Sequence, residues 1–490
     1  MQRPQLARIE TSSSALSTTS RASARAVQAL RALPHAACSG LVLWVAGCGA
    51  VAPEPTAAPA PTAEPSGAAA TSVASASVTP STPAPSAAVE PASKPAPDRP
   101  LNVLLILVDS MRADMPWAGY SRPIAPNLTA LEAESISYTR GYAISSYTAK
   151  SVGGLLAGKY PSSLRRSGFF FTKYSAADTF FPELLQAAGV RTMAGHGHMY
   201  MKRGNMMDQG FDDWRVVDGI DFDAQTDKNV TSQKLTPMAI EQLGTVKADK
   251  PFFMYLHYMD PHDVYVTHKE APDWGKSARD RYDQEIFYTD LWIGKLLEHC
   301  KAQPWWSKTA VIVSADHGEG FGEHNVYRHA FALWDMLTHV PLFVHLPEQA
   351  GRRVDVPRSA IDIGPTILDL MGVDAPAGEF AGKSLVEELY GREKPAPRPV
   401  ILDLPADSNN PRVRALIDGD YKLMVYDKGW RKDLYNLKTD PGETKDLAKA
   451  EPERFKQMVE LFESTWAEIK QVQPYGGNKL KDGTVANGPS

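Results

Sequence analysis

Hydrophobic residues are concentrated in three segments that are almost continuously apolar, without regular alternation of polar positions. The segments are Leu101–Val108, Pro251–Leu256 and Thr309–Val313. Continuous hydrophobicity indicates a strand that is buried on both faces, as in a parallel sheet covered by helices. Each segment ends abruptly in polar residues, which are Asp109-Ser110 after the first, His257 to His262 after the second and Ser314 to Glu319 after the third.

Segments with a helical pattern lie between these strands: Asn127–Ser135, Ala176–Ala188 and Asp280–Ala302. Alternation of strands and helices predicts an α/β fold, with a mainly parallel sheet flanked by helices. Ligands of such sheets bind beyond the carboxyl ends of the strands. A single Asp after a strand is more often only a helix cap. Three strands that each deliver Asp or His to one edge, however, predict a shared metal-binding and catalytic site.

Shorter apolar segments continue from about Pro395 towards the C-terminus. They predict four short strands and a final helix: Val400–Leu404, Val413–Ile417, Tyr421–Tyr426, Lys432–Tyr435 and the helix Glu451–Lys470. The change in pattern predicts a catalytic domain over residues 100–395 and a small C-terminal subdomain over residues 396–475. Residues 476–490 are predicted to form a frayed tail.

The first 48 residues have the pattern of an export signal. A region with several arginines precedes an apolar run, residues 36–47, which is shorter than the ~20 residues that span a bilayer. Residues 45–48 also resemble the bacterial lipoprotein box, in which the Cys, here Cys48, is lipidated and becomes the mature N-terminus. A plain signal peptide with an incidental Cys is the alternative. The expectation is an exported lipoprotein of a bacterial envelope, in the periplasm or outer membrane, with Cys48 as its membrane anchor.

Residues 49–99 consist almost entirely of Ala, Pro, Ser, Thr and Val, with no aromatic residue. Such a segment cannot bury enough apolar surface to offset the entropy that ordering costs. It is predicted to be a disordered linker, which would let the folded body work away from a membrane surface.

Composition and charge exclude several classes of protein. With 490 residues, 43% hydrophobic and 22% charged, the chain is neither fibrous nor disordered throughout. Its 52 basic and 57 acidic residues give a net charge of −5, so nucleic acid is not an expected partner. The cysteines Cys38, Cys48 and Cys300 are too few and too scattered for a disulfide scaffold or a cysteine-rich zinc site.

A collinear series of short motifs resembles the sulfatase branch of the alkaline phosphatase superfamily. The motifs are Leu107–Asp114, Thr148–Pro161, Asp260–His262, Ser314–Glu319, Gly322–His324, His329, His339–Leu342, Asp362–Leu370 and Leu434–Pro441. Each motif is weak alone, but their order over residues 101–450 is strong evidence. The resemblance implies the mainly parallel α/β sheet expected above. It also implies a smaller C-terminal antiparallel sheet plus helix that closes the substrate cleft.

The same resemblance implies a nucleophile at Thr148. Counting back from Leu155-Leu156-Ala157-Gly158 places Thr148 where sulfatases carry the Cys or Ser that is oxidised to formylglycine. Formylglycine cannot be made from Thr, but Thr is the nucleophile in phosphotransferase and phosphodiesterase branches of the superfamily. A helix N-terminus would favour an incoming anion. Alternatives are a Thr148 that only caps its helix, and nucleophiles at Ser145, Ser146 or Ser151.

The family pattern implies metal binding by Asp109, Asp316 and His317, with Thr148 facing the same ion. The second Asp of the sulfatase motif is Ser110 here. A mixed set of oxygen and imidazole ligands suits zinc or manganese better than calcium, which favours several hard oxygens. One divalent ion is therefore expected. A second ion, held by Asp260, His262 and His329, is left open.

Other family positions imply contacts with the substrate. The resemblance assigns contact with the transferred anion, or protonation of the leaving group, to His198, His262 and His329. His196 stands in place of a family Lys, Lys150 in place of a Pro, and Val152 in place of an Arg. The candidate substrate-binding residues are His196, Lys150 and His324. A lone histidine is usually a surface or core residue, which is the role expected for His257 and the alternative for His324.

The sequence thus predicts an enzyme: a metal-dependent hydrolase of sulfate or phosphate esters with Thr148 as its nucleophile. A phosphoryl or phosphoethanolamine-type transferase and a phosphodiesterase of the same superfamily are alternatives. Losses at Ser110, Lys150, Val152 and His196 also leave open a non-catalytic binder of anionic envelope ligands. The expected partner is a small anionic ester, a glycan or a lipid headgroup.

Overall fold

The structure is a computed structural model that describes residues 100–221, 229–247 and 249–488. The predictions of an export signal, of lipidation at Cys48 and of a disordered linker fall on residues outside this range and stay predictions. Among the described residues, no helix combines the length and the hydrophobicity that crossing a bilayer requires.

The strands of the described residues are β1 Asn102–Val108, β2 Ile136–Tyr142, β3 Arg191–His196, β4 Asp213–Val216, β5 Phe252–Tyr258, β6 Thr309–Ala315, β7 Gly320–Phe321, β8 Tyr327–Arg328, β9 Leu342–His345, β10 Arg352–Ser359, β11 Val400–Leu404, β12 Val413–Asp418, β13 Tyr421–Tyr426 and β14 Arg431–Asn436. The helices are α1 Pro126–Ala133, α2 Thr148–Ala157, α3 Phe181–Ala187, α4 Ser232–Leu243, α5 Ala278–Lys301, α6 Asp335–Thr338, α7 Ile363–Leu370, α8 Val386–Leu389 and α9 Pro452–Ala467.

The larger sheet has the strand order β10-β2-β9-β6-β1-β5-β3-β4. Strand β9 runs antiparallel to both of its neighbours, and the other neighbouring pairs are parallel. The strands predicted from continuous hydrophobicity, β1, β5 and β6, lie side by side, with β1 in the middle. The predicted class, an α/β fold with a mainly parallel sheet, is confirmed.

Both faces of strand β1 are covered, which explains its unbroken hydrophobic sequence. Val103, Leu105 and Leu107 belong to one hydrophobic core, which also contains buried residues of α2, α3 and α7. The alternate residues, from Leu104 to Val108, belong to a second core with residues of α1, α4 and α5. Because successive side chains of a strand point to opposite faces, a strand between two helix layers must be apolar at every position.

The predicted helices occur, with small differences at their ends. Helix α3 begins at Phe181 rather than at Ala176, and Pro182 occupies its first turn. A proline is tolerated in the first turn because it has no backbone N–H to donate, but it disrupts a helix interior. The side chain of Glu183 accepts a hydrogen bond from Phe180 N at 2.8 Å and closes the start of this helix.

The C-terminal strands form the predicted smaller sheet, an antiparallel meander in the order β11-β12-β13-β14. One face packs on helix α9 through residues such as Leu416, Leu423 and Phe462. Leu402 and Ala415 belong to a core shared with the larger sheet. The small sheet is therefore fastened to the main body rather than joined to it only by the chain.

The prediction of a frayed tail is wrong for residues up to 488. Leu480 and Ala486 are buried together with Ala406. Tyr475 bridges to Ser167 and Asn487. The tail is ordered because distant loops offer backbone partners: Gly168 N donates to Tyr475 O at 2.8 Å, and Lys481 N donates to Asp407 O at 2.9 Å.

Candidate active site at the carboxyl edge of the sheet

The register of the central strands places acidic and histidine residues at one edge. Val108 at the end of β1 pairs with Ala315 at the end of β6 and with Tyr258 at the end of β5. Asp109 and Asp316 directly follow the first two of these strands, so they emerge at the same level. The predicted meeting of strand ends is therefore present.

Thr148 begins helix α2 and points at this edge. Its Oγ1 lies 3.2 Å from Asp109 Oδ2 and 3.1 Å from His317 Nε2. The helix is fixed behind it by a close approach of Tyr174, since a Cβ at Gly153 would lie within about 2.3 Å of the Tyr174 ring. Tyr174 also donates a hydrogen bond from its hydroxyl to Ala149 O at 2.7 Å. These contacts hold the hydroxyl of Thr148 at a helix N-terminus, where the backbone dipole favours anions.

Among the alternative nucleophiles, Ser151 is engaged elsewhere. Its hydroxyl donates to Ser145 O at 2.9 Å and accepts from Ser145 N at 3.1 Å, which closes the loop before helix α2. Within the described residues, the hydroxyls of Ser145 and Ser146 are buried and have no hydrogen-bond partner.

Asp109, Asp316 and His317 form one group whose ligand atoms lie within 4.8 Å of one another. His317 Nε2 is 3.6 Å from Asp109 Oδ1 and 3.4 Å from Asp316 Oδ2. Asp316 Oδ1 accepts hydrogen bonds from the backbone N–H groups of Ser110 and His317. This anchoring leaves Oδ2 turned towards the other two ligands. The residues predicted as a metal site are thus brought together, with Thr148 beside them.

Asp109, His198 and His257 form a second group of the same kind. Asp109 Oδ2 lies 2.7 Å from His198 Nε2 and 3.3 Å from His257 Nε2. The other ring nitrogen of His257, Nδ1, is 2.6 Å from the hydroxyl of Tyr255. That contact fixes the ring orientation, as the partner of a metal-binding histidine does. Asp109 belongs to both groups.

Burial controls the charge of both groups. Burial alone would raise the pKa of Asp109, but the imidazoles of His198 and His257 beside its carboxylate hold that pKa well below its usual range. Burial and the nearby charge of Asp109 raise the pKa of Asp316 well above its usual range. Burial lowers the pKa of His257 to about 4 and that of His317 to about 3. These imidazoles are therefore neutral at neutral pH, the form in which histidine binds metals.

The residues present fit a divalent cation. Asp316 Oδ2 and His257 Nε2 are buried, lie 3.7 Å apart and have no well-formed hydrogen bond within the described part of the chain. Buried polar atoms without such partners are costly unless an unseen ligand satisfies them. Carboxylate oxygens mixed with imidazole nitrogens suit zinc or manganese.

A row of imidazoles extends from these groups towards the solvent. The ring of His329 lies 4.3 Å from that of His317 and 4.9 Å from that of His262, while His262 and His198 lie 6.2 Å apart. His329 Nδ1 is 3.2 Å from Glu319 Oε1. Burial raises the pKa of Glu319 to about 7 and lowers that of His329 to about 3. The predicted catalytic histidines therefore gather in one place, and Glu319 is an additional partner.

Asp260 does not join a second metal site with His262 and His329, contrary to the alternative left open above. Its Oδ1 accepts hydrogen bonds from Thr231 N and Thr231 Oγ1, and its Oδ2 accepts one from Ser232 N. The carboxylate therefore caps the N-terminus of helix α4. The second group in the structure uses His257, for which the sequence predicts only a surface or core role.

The three residues predicted to bind substrate, His196, Lys150 and His324, each contact other parts of the protein. His196 is buried against Trp214, and burial lowers its pKa well below its usual value, so it cannot replace the cation of a family Lys. Lys150 is buried beside Asp407, with 3.6 Å between Nζ and Oδ2. His324 stacks on Trp334, and its Nε2 is 2.8 Å from Gly442 O. Each of these side chains is held by the protein itself.

A mainly parallel sheet with carboxylates, imidazoles and a helix-borne hydroxyl at its carboxyl edge is the arrangement that the resemblance to the sulfatase branch of the alkaline phosphatase superfamily implied. The chain belongs to the sulfatase family, because the family model described as Sulfatase matches residues 101–373. A second model, N-sulphoglucosamine sulphohydrolase, C-terminal, matches residues 322–472. The predicted family and the prediction of an enzyme are confirmed.

The sequence identities to individual relatives are low. An ulvan-active sulfatase of Formosa agariphila is 27% identical in an alignment of 356 positions that covers 62% of this chain and 68% of the relative. The choline-sulfatase of Rhizobium meliloti is 22% identical in an alignment of 424 positions that covers 71% of this chain and 82% of the relative. The crystal structure of a phosphonate monoester hydrolase of Agrobacterium radiobacter superposes with a TM-score of 0.63 at 18% identity. That superposition covers 79% of this chain and all of the other, 100%.

Proposed function

We propose that the protein is a metal-dependent hydrolase of anionic esters, with Thr148 as the nucleophile and phosphate esters as the preferred class. The observation that carries this proposal is the position of Thr148 Oγ1, 3.2 Å from Asp109 Oδ2 and 3.1 Å from His317 Nε2. A Thr hydroxyl is a weak nucleophile until a base or a cation activates it. Here the Thr148 hydroxyl lies beside carboxylate and imidazole groups that could accept its proton and hold a cation.

Asp109, Asp316 and His317 would hold one divalent cation, and Asp109, His198 and His257 could hold another. Such a cation, when bound, polarises the ester and stabilises an alkoxide. The chain itself orients the Thr148 hydroxyl through Asp109 and His317. Helix α2 presents its N-terminus to the anion.

The reaction exchanges one ester bond for another. The Thr148 hydroxyl gives its proton to Asp109 Oδ2, 3.2 Å away, and its oxygen forms a bond to phosphorus or sulfur while the bond to the departing alcohol oxygen breaks in line. His329 Nε2 gives a proton to that oxygen, and Glu319 returns a proton to His329 Nδ1. Protonation of a leaving group contributes about 10²- to 10⁴-fold to such reactions. Water, or an acceptor alcohol, then attacks the Thr148 ester and gives a proton through His329 back to Glu319. The bond between the Thr148 oxygen and phosphorus or sulfur breaks, and that oxygen takes its proton back from Asp109.

Sulfate-ester hydrolysis is the second candidate, and the names of the relatives favour it. The identity of the nucleophile separates the two candidates in this proposal. Sulfatases use a formylglycine hydrate that Thr cannot supply, whereas an unmodified alcohol suits phosphoryl transfer.

Turnover of matched aryl substrates tests the proposal. We expect the purified chain to hydrolyse 4-nitrophenyl phosphate or its phosphodiester analogue faster than 4-nitrophenyl sulfate. Dialysis against a chelator should abolish turnover, and adding zinc or manganese should restore it. Faster turnover of the sulfate would select the second candidate. Stoichiometric binding without turnover of any of the three esters would support a non-catalytic binder.

Activity is expected to fall as the pH rises through about 7. The buried Glu319 has its pKa raised to about 7, and the proposed proton delivery requires its protonated form, which is lost above that pH. Glu319→Gln cannot titrate, so the alkaline limb near pH 7 should disappear from the kcat profile of that variant. Its kcat for a poor leaving group should be about 10-fold lower or more. An unchanged alkaline limb in Glu319→Gln would remove Glu319 from the mechanism.

A further inference from the structure

The loop that follows strand β11 enters the main body and lies between the segments that carry Thr148 and His329. Asp407 and Asn410, both 0% exposed, are the loop residues at this junction. The loop is fastened at both sides, because Ser408 N donates to Gly168 O and Lys481 N donates to Asp407 O, each at 2.9 Å. The C-terminal subdomain thus contributes two fully buried polar side chains, Asp407 and Asn410, beside the proposed active site.

Asp407 holds the residues that flank Thr148. The Tyr147 hydroxyl donates a hydrogen bond to Asp407 Oδ2 at 2.6 Å, and Lys150 Nζ lies 3.6 Å from the same oxygen. Tyr147 precedes Thr148, and Lys150 lies in the first turn of helix α2. Because a buried carboxylate needs a charged or hydrogen-bonding partner, Lys150 at the family's Pro position is matched to Asp407.

Asn410 holds the segment that carries His329. Its Oδ1 accepts a hydrogen bond from Phe331 N at 3.0 Å, and its Nδ2 donates to Asp407 Oδ2 at 3.0 Å. The same segment also contacts the residues just before helix α2, since Ala330 N donates a hydrogen bond to Ser146 O at 2.8 Å. One carboxylate, Asp407, therefore connects both halves of the proposed reaction centre.

The backbone around His329 needs such support. Arg328, Ala330 and Phe331 have φ values of 68°, 70° and 62°. This left-handed region is costly for residues with a side chain and persists only where surrounding contacts enforce it. Phe331 is itself 52% exposed, so burial of its side chain does not fix the turn. The hydrogen bond from Asn410 acts directly on that residue.

We propose that Asp407 and Asn410 form a positioning bridge that sets the placement of the His329 general acid relative to the Thr148 nucleophile. This inference rests on the proposed function of those two residues. In-line transfer requires the attacking oxygen and the proton donor to lie at opposite ends of the same reacting centre. A misplacement of 1 Å costs about 10²-fold in rate.

The test compares two neighbouring loop residues on aryl esters with different leaving groups. Asn410→Ala removes the hydrogen bond to Phe331. The matched control Asn409→Ala changes an exposed side chain whose Oδ1 accepts a hydrogen bond from Ser408 Oγ. We expect Asn410→Ala to lower kcat for phenyl phosphate by about 30-fold or more and for 4-nitrophenyl phosphate by only a few-fold. A good leaving group departs without proton donation. KM should change little, and the melting temperature should fall because Phe331 N and Asp407 each lose a buried hydrogen-bond partner. Asn409→Ala should match the wild type.

Tyr147→Phe tests the other half of the bridge, and its near-unchanged volume guards against a folding defect. Removing its hydroxyl should lower kcat for both phosphates by the same factor, because the nucleophile serves every leaving group. Equal losses on both esters in Asn410→Ala would overturn the proposal in favour of a purely structural role. A wild-type kcat on both phosphates in Asn410→Ala or in Tyr147→Phe would also overturn the proposal.

The wild-type chain separates these outcomes from failure of the function itself. If the wild type prefers sulfates, the same comparison is made with phenyl and 4-nitrophenyl sulfate. If the wild type turns over no aryl ester, the proposed function fails, and the positioning role falls with it.

Discussion

Thr148→Ala is expected to lower kcat by about 10⁴-fold or more on the ester that the wild type prefers, as removal of a catalytic nucleophile does. The Thr148 oxygen is the attacking atom in the proposed reaction. The methyl group of the alanine in Thr148→Ala carries no oxygen, so it cannot attack the ester. The hydroxyl is not needed to keep Asp109, Asp316 and His317 together, since each is anchored by the sheet. Metal content per chain, measured by atomic emission, should therefore stay close to that of the wild type.

Matched serine and threonine variants control this prediction. Thr148→Ser keeps an alcohol at the same backbone position and should retain activity within about 10-fold. Ser151→Ala should stay active, because the Ser151 hydroxyl is bonded to the backbone of Ser145 and is not the proposed nucleophile. Full activity of Thr148→Ala, or loss of activity only in Ser145→Ala or Ser146→Ala, would mean that the assignment of the nucleophile is wrong.

Asp109→Asn is expected to have the second large effect, because this carboxylate belongs to both groups of potential metal ligands. Neutralising it removes the negative charge that faces His198, His257 and His317. We expect metal content to fall sharply. We also expect kcat to drop by about 10³-fold or more, since metal ions contribute several kcal/mol to transition states. Metal analysis and kinetics on one preparation measure both effects.

Asp260→Ala provides the control for that prediction. Asp260 lies two residues beyond strand β5, yet its carboxylate caps helix α4. Losing a helix cap costs about 1–2 kcal/mol of stability. This variant should therefore melt at a lower temperature while keeping its metal. Metal loss in Asp260→Ala, with retention in Asp109→Asn, would place the metal site elsewhere.

The sequence was sufficient to predict the central strands and the residues that leave them. Continuous hydrophobicity in β1 has a single physical cause, burial on both faces, so it needs no knowledge of the partners. Once β1, β5 and β6 are parallel neighbours, Asp109 and Asp316 must emerge at one edge. The position of Thr148 came from the family resemblance, since Thr at a helix start is usually only a cap.

Other features depended on contacts that sequence patterns do not encode. His257 was missed because β5 extends to Tyr258, two residues beyond its purely apolar part. The sequence did contain a signal: His257 is a polar residue at the end of a buried strand, on the same face of that strand as Tyr255. The role of Asp260 depends on where α4 begins. Tyr147 and Asp407 are 260 residues apart, so neither local sequence predicts their hydrogen bond or the ordered tail packed beside it.

The most direct measurement of the central claim is to trap the covalent intermediate. Wild-type enzyme is mixed with a fast aryl ester, quenched in acid within the first turnover and digested with trypsin. The peptide of residues 141–150 is then sequenced by mass spectrometry. The proposed mechanism predicts one added phosphoryl or sulfuryl group, located on Thr148 and absent from Thr148→Ala. A label on Ser145 or Ser146, or an active enzyme whose Thr148 stays unmodified under burst conditions, would contradict it.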